Sequence, residues 1–192
     1  MKNKFTKIIL ATVVCLAWFT SVNAQGRFSA GAELAMPMGD FADLAGFGFG
    51  ASLGYELPVT DNIGITANAG YLMFGKKTME VGPLKTEYQY SMIPIQLGGK
   101  YYFGETMEGI YLGAQVGVHM LMFKFKTEAY SMGGITIPAV SESDSKTKLS
   151  YAPVVGYHLA NIDLSARYQM VATEGSTTSF IGLRIAYVFG EK

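Results

Sequence analysis

Phe47-Gly48-Phe49-Gly50-Ala51-Ser52-Leu53-Gly54-Tyr55-Glu56-Leu57 is the stretch on which the fold turns. Its odd positions carry Phe47, Phe49, Ala51, Leu53, Tyr55 and Leu57, and its even positions carry Gly48, Gly50, Ser52, Gly54 and Glu56. Strand side chains alternate between faces, so this segment has one apolar face and one small or polar face. A helix would scatter both sets around its circumference.

Working outward, the same alternation recurs. A first strand is predicted over about Arg27 to Met36, with Phe28, Ala30, Ala32 and Leu34 opposed to Ser29, Gly31 and Glu33. After the Phe47–Leu57 strand, a third runs from about Asn62 to Phe74, setting Ile63, Ile65 and Tyr71 against Gly64, Thr66 and Asn68. A fourth covers about Tyr88 to Phe103 and a fifth about Gly109 to Lys124, with Gln96, Lys100 and His119 on their polar faces. The sixth (about Lys148 to Ala160), seventh (about Ile162 to Val171) and eighth (about Ser179 to Phe189) complete the set. His158, Asp163, Arg167 and Arg184 lie on the polar faces of these last three.

The connections alternate as well. Tight turns follow strands two, four and six: Pro58 to Asp61, Gly104 to Glu108, and Asn161. Longer loops follow strands one, three and five: Pro37 to Gly46, Gly75 to Glu87 and Phe125 to Thr147. Short turns at one end and long loops at the other are the layout of outer-membrane barrels, whose short turns lie in the periplasm.

The N-terminus reads differently. Lys2, Lys4 and Lys7 precede Ile8 to Phe19, which is apolar except for Thr12, and Val22-Asn23-Ala24 supplies small residues for cleavage. Residues 1–24 are thus expected to be a cleaved signal peptide and 25–192 the mature barrel. The competing reading, an uncleaved anchor, needs about 18 apolar residues in a row, and this run is shorter. Cys15 and Trp18, each the only residue of its kind, lie inside the leader. The mature chain therefore has no disulfide, thiol nucleophile or thiolate metal site. Three lysines and no acid leave with the leader, so the formal charge falls from zero to about −3. That is no footprint for nucleic acid, which needs a clustered basic surface.

Alternation also suits a soluble barrel, whose apolar set points inward and whose other set meets water. Here that other set is mostly Gly, Ala and Ser, while charges gather in the long loops, as at Lys76, Lys77, Glu87, Asp144 and Lys146. Small residues and a few paired charges suit a narrow lumen, and the bulky set suits lipid. Tyr55, Tyr101, Tyr157, Tyr187 and Phe189 fall on the apolar face near the short-turn end, where an aromatic girdle belongs. An open sheet in lipid would leave edge groups unpaired at several kcal/mol each, so strand eight must pair with strand one. The expected fold is an all-β, transmembrane, eight-stranded antiparallel up-and-down β-barrel.

Pro37-Met38-Gly39-Asp40-Phe41, Gly46 to Gly50, Gly70-Tyr71-Leu72-Met73-Phe74-Gly75 and the strand from Ile93-Pro94-Ile95 to Tyr101-Tyr102-Phe103 carry a resemblance. They resemble the small outer-membrane β-barrel domain family, similar in architecture to OmpA and OmpX barrels, across essentially the whole mature chain. The resemblance implies a bacterial outer-membrane location and a final aromatic residue read by the barrel-assembly machinery. Phe189 matches, although Gly190-Glu191-Lys192 follow it. It implies no shared catalytic residues.

Within the lumen, closure is expected to bring Glu33 close to Arg184, with Arg167 nearby. A second polar cluster, Glu56, Lys100, His158 and Asp163, is expected toward the periplasmic end. A structural network that fills the barrel is the favoured reading, because buried charges must be paired; a gated ion path is the other. Tyr157-His158-Leu159-Ala160-Asn161 offers His158 no Ser partner, both His119 and His158 are expected to face the lumen, and no His/Asp/Glu cluster has metal-ligand spacing. The expectation is a protein that is not an enzyme and holds no cofactor. Partners expected are outer-membrane lipid, the assembly machinery and an extracellular partner at the 125–147 loop. That loop reads either as a protruding hairpin or, preferably, as strands five and six extended past the membrane. Two functions stay open: a structural or surface-interaction barrel, and a narrow channel or carrier for small or hydrophobic solutes.

Overall fold

The computed structural model describes residues 26–81, 84–104, 106–127, 130–132, 135–137, 140–173 and 176–189. The leader expected over 1–24, Glu128, Gly133-Gly134, Pro138 and the final Gly190-Glu191-Lys192 lie outside them.

Eleven strands and one short helix are present among the described residues. They are β1 (Arg27–Met38), α1 (Asp40–Leu44), β2 (Gly48–Pro58), β3 (Ile63–Phe74), β4 (Lys77–Val81) and β5 (Leu84–Tyr102). Next come β6 (Gly109–Thr127), β7 (Tyr130–Met132), β8 (Ile135–Ile137), β9 (Val140–Leu159), β10 (Ile162–Thr173) and β11 (Ser176–Phe189). Eight of these close a ring, every neighbour antiparallel: β1, β2, β3, β5, β6, β9, β10, β11 and back to β1. The seam runs from Phe28↔Phe189 to Met38↔Ser179 and sets Glu33 directly opposite Arg184. The closed eight-stranded barrel expected from alternation is the barrel observed. Its strands begin and end within a few residues of the predicted limits, except on the long-loop side.

There the strands outrun the predicted spans. Residues 75–87 are mostly not loop: after a break at Gly75-Lys76, β4 pairs with β5 from Lys77↔Tyr88 to Val81↔Leu84. The 125–147 segment combines both readings given to it. β6 and β9 remain paired out to Thr127↔Val140, and a small β7–β8 hairpin stands between them. A β4–β5–β6–β9 sheet therefore stands above the barrel on that side.

Short-turn geometry follows from side-chain caps. In the β2–β3 turn, Thr60 Oγ1 accepts from the Ile63 amide at 3.0 Å while Val59 N donates to Ile63 O at 2.8 Å. Between β9 and β10, Ala160 adopts φ 53°, and Asn161 exchanges hydrogen bonds with the Val188 backbone at 2.7 and 3.0 Å.

The wall is inverted relative to a soluble protein. Phe28, Leu53, Leu97 and Val116 are 60–67% exposed, and large apolar side chains of this kind occur on every ring strand. Glu33, Gln96, His119, Asp163 and Gln169 are at most 4% exposed. A continuous apolar belt of this extent has a physical solvent only in hydrocarbon.

Candidate functional site: the barrel lumen and its two ends

Three layers fill the lumen. The central layer is a chain of alternating charge that runs from mid-barrel toward the short turns. Arg167 grips both carboxylate oxygens of Glu33, one of them at 3.3 Å. Arg184 bridges Glu33 (Nε–Oε1 3.9 Å) to Asp163 (Nη1–Oδ1 3.7 Å). Lys100 then joins Asp163 at 2.7 Å to Glu56 at 3.2 Å, and Arg27 meets Glu56 at 3.5 Å. Four cations and three carboxylates thus alternate without a gap. Hydroxyls satisfy remaining valences: Arg184 donates to Ser52 (2.8 Å) and Ser29 (2.9 Å), Tyr102 to Glu56 (2.8 Å) and Tyr111 to Asp163 (3.0 Å). Lys100 Nζ also sits 4.4 Å from the Tyr111 ring centroid, a cation–π distance.

The two predicted clusters are therefore one. Glu33, Arg167, Arg184, Glu56, Lys100 and Asp163 share it, and Arg184 is the link because its side chain spans two carboxylates on different strands. Glu33 lies opposite Arg184 in register, yet it pairs more tightly with Arg167, one strand further round. His158 stands apart from the acids: its Nδ1 lies 2.8 Å from the Met107 carbonyl, which also accepts from Arg27. Arg27 is a member that sequence reasoning missed. It is the first residue of β1, shares the parity of Ser29, Gly31 and Glu33, and pairs opposite Glu56.

At the short-turn end, Tyr102, Tyr111 and Val154 pack with Met107, which the Gly104–Glu108 turn folds beneath them. Gly156 makes room for this: a Cβ there would lie 2.3 Å from the Tyr111 ring. At the long-loop end an apolar cap closes the mouth, built from Ala35, Phe41, Ala45, Leu72, Phe74, Met92 and Phe180. Phe41 comes from α1, which tips into the opening and sets its ring edge-on to Phe74 (5.0 Å) and Tyr90 (5.6 Å). Lys77 holds the helix by donating to the Ala42 carbonyl at 3.0 Å. The expectation of a lumen lined chiefly by small residues thus holds for mid-barrel only. Bulky apolar and aromatic side chains also point inward at both ends, where the narrow barrel needs volume to be filled.

Between the layers, Gln96 donates to Gln169 (3.2 Å) and His119 Nδ1 lies 2.8 Å from Ser150 Oγ. The His119–Ser150 pair is a contact that the sequence concealed, since the two are far apart in the chain. Both are fully enclosed, and His119 Nε2 has no hydrogen-bond partner in the protein. A working Ser–His nucleophile needs an acid on the second ring nitrogen and a substrate path. A residual polar cavity of about 40 Å³, lined by Glu33, Gln96, Lys100, Gln115 and Arg167 among others, lies amid the ion chain. At a water's liquid share of about 30 Å³, that is space for about one water. Among the described residues no group of three or more His, Cys, Asp or Glu could hold a metal ion.

On the outer wall Tyr101, Tyr157, Tyr187 and Phe189 are 44–51% exposed and Tyr55 is half-buried. Tyr55 packs on Phe28 (4.7 Å), Tyr101 on Phe103 (5.3 Å) and Tyr187 on Phe189 (4.8 Å), all near the short-turn rim.

A closed antiparallel barrel with an apolar exterior, an ionic interior and short turns at one rim defines an integral outer-membrane β-barrel protein. The sequence matches the outer membrane protein beta-barrel domain over residues 8–189, and the chain belongs to that family of the bacterial outer membrane. Among solved structures it is similar to Ail, the attachment invasion locus protein of Yersinia pestis. The two share 18% identity, with 88% of this chain and 100% of that one covered, and a TM-score of 0.56. Ail in complex with the heparin analogue sucrose octasulfate aligns equally well, at 19% identity, the same coverage and a TM-score of 0.57. A major outer membrane protein from Thermus thermophilus aligns at 14% identity over 85% of this chain and 99% of its own, with a TM-score of 0.57. No curated protein matches the chain. At such identities these likenesses speak to the fold.

Proposed function

We propose that this protein is a closed barrel that acts through its extracellular surface and passes no solute. The carrying observation is the lumen: an unbroken chain of seven charged side chains under an apolar cap. Solute crossing it would have to separate buried ion pairs, which costs several kcal/mol for each ion left without its partner. In this reading Glu33, Arg167, Arg184, Glu56, Lys100, His158 and Asp163 are structural filling. Tyr55, Tyr101, Tyr157, Tyr187 and Phe189 form the periplasmic girdle in outer-membrane lipid. Residues 1–24 direct export, the strand ending at Phe189 is read by the assembly machinery, and the extended sheet around 125–147 meets an extracellular partner. The role is binding or structural and not enzymatic.

The alternative is a narrow channel or carrier, favoured by the charged cavity amid the ion chain. Planar-bilayer recording on the purified protein separates the two. A silent bilayer is expected; steady, resolved openings would replace the closed reading with the channel.

A further inference from the structure

Above the apolar cap the mouth widens into a bowl of about 290 Å³, near the lower limit of about 300 Å³ for small-molecule sites. Its wall is a grid set by strand register. One row reads Tyr90, Phe123, Asp144 across β5, β6 and β9, and the row beneath reads Met92, Leu121, Lys146. Aromatic and aliphatic groups therefore stand beside two opposite charges across two adjacent rows of the wall. Tyr90 and Phe123 are in tilted ring contact at 4.9 Å, and Phe41 of α1 meets Tyr90 edge-on from the other side. Asp144 and Lys146 face the bowl as neighbours on one strand face, 3.8 Å apart and about two-thirds exposed. A pair so exposed holds itself weakly and exchanges partners readily. Asp144 keeps one oxygen on the Ser145 amide at 2.8 Å, which fixes the carboxylate at the rim.

We propose that this bowl is a binding site for a small zwitterion carrying one aromatic ring. The ring lies against Tyr90 and Phe123, the ligand's ammonium meets Asp144, and its carboxylate meets Lys146. The inference rests on the reading of a barrel that acts at its outer surface. It stands apart from lumen closure, however: conductance would overturn the closed lumen and leave this test unchanged.

Isothermal titration of the folded full-length protein in detergent, with three probes, decides the matter. Phenylalanine carries ring and both charges, N-acetylphenylalanine amide only the ring, and glycine only the charges. Saturable binding of phenylalanine is expected, at least tenfold tighter than either partial probe. Phe123→Ala should weaken it tenfold or more, with Phe123→Leu as the milder variant if the first fails to fold. Asp144→Asn combined with Lys146→Gln should erase the preference for phenylalanine over the amide. Ser143→Ala, next to Asp144 on β9 and on the opposite face of the strand, should change nothing. No saturable phenylalanine binding, equal binding of the amide, or binding indifferent to both Phe123 variants would each overturn the site.

Discussion

Glu33 is one of three lumen carboxylates on each of which two cations converge, and both of its partners are arginines. Removing one member of a buried pair leaves the other charge without a partner, at a cost of about 3–5 kcal/mol. Glu33→Ala should therefore lower the unfolding free energy by about that amount, measured by urea titration of protein refolded into vesicles. Glu33→Met combined with Arg167→Met should cost less than Glu33→Ala, because it removes both ends of the tighter contact. A double variant that proves worse would show that Arg184, not Arg167, is the partner that matters. Gly156 offers a steric counterpart. A branched side chain there must displace the Tyr111 ring, so Gly156→Val should yield little folded protein by heat-modified gel mobility. At this scale the inward polar residues were legible from parity alone. Inward Leu72, Phe74, Met92 and Phe180 were obscured because they look the same as lipid-facing residues in composition.

Elements differ in how openly the sequence declares them. The ring strands were readable because a lipid wall and a crowded lumen impose opposite demands on alternate residues. α1 was not: five residues, Asp40–Leu44, show no amphipathic period, and the helix exists because Phe41 finds a buried seat. Its stability comes from that contact rather than from propensity. Phe41→Ala should destabilise the protein by about 3 kcal/mol, the low end of the range for a buried Phe. It should also raise hydrogen exchange in residues 39–46 while leaving the ring strands protected. Equal exchange across all of these would mean that the helix is held by Lys77 and the backbone alone. β4 likewise falls within a span expected to be loop, since its pairing with β5 depends on a partner strand and not on alternation of its own.

For the whole molecule, closure is the governing fact. With β11 paired to β1, every ring strand has two neighbours, and no unpaired edge faces hydrocarbon within the ring. Such a barrel resists detergent until heated, so unboiled and boiled samples should migrate differently on a gel. Identical migration would contradict a barrel inserted as a closed unit. The small second set and the charges gathered in the connections decided which face looks outward; alternation by itself determined that the chain makes eight strands with two unlike faces and at which end the long connections lie. It could do so because each of those facts is a local consequence of period two. Only the tertiary structure decided which cation holds which carboxylate, that two polar clusters are one, and that Phe41 turns back to stop the mouth. Those outcomes depend on how far neighbouring strands are staggered and how far a side chain reaches across the lumen, and neither distance is written in a single strand.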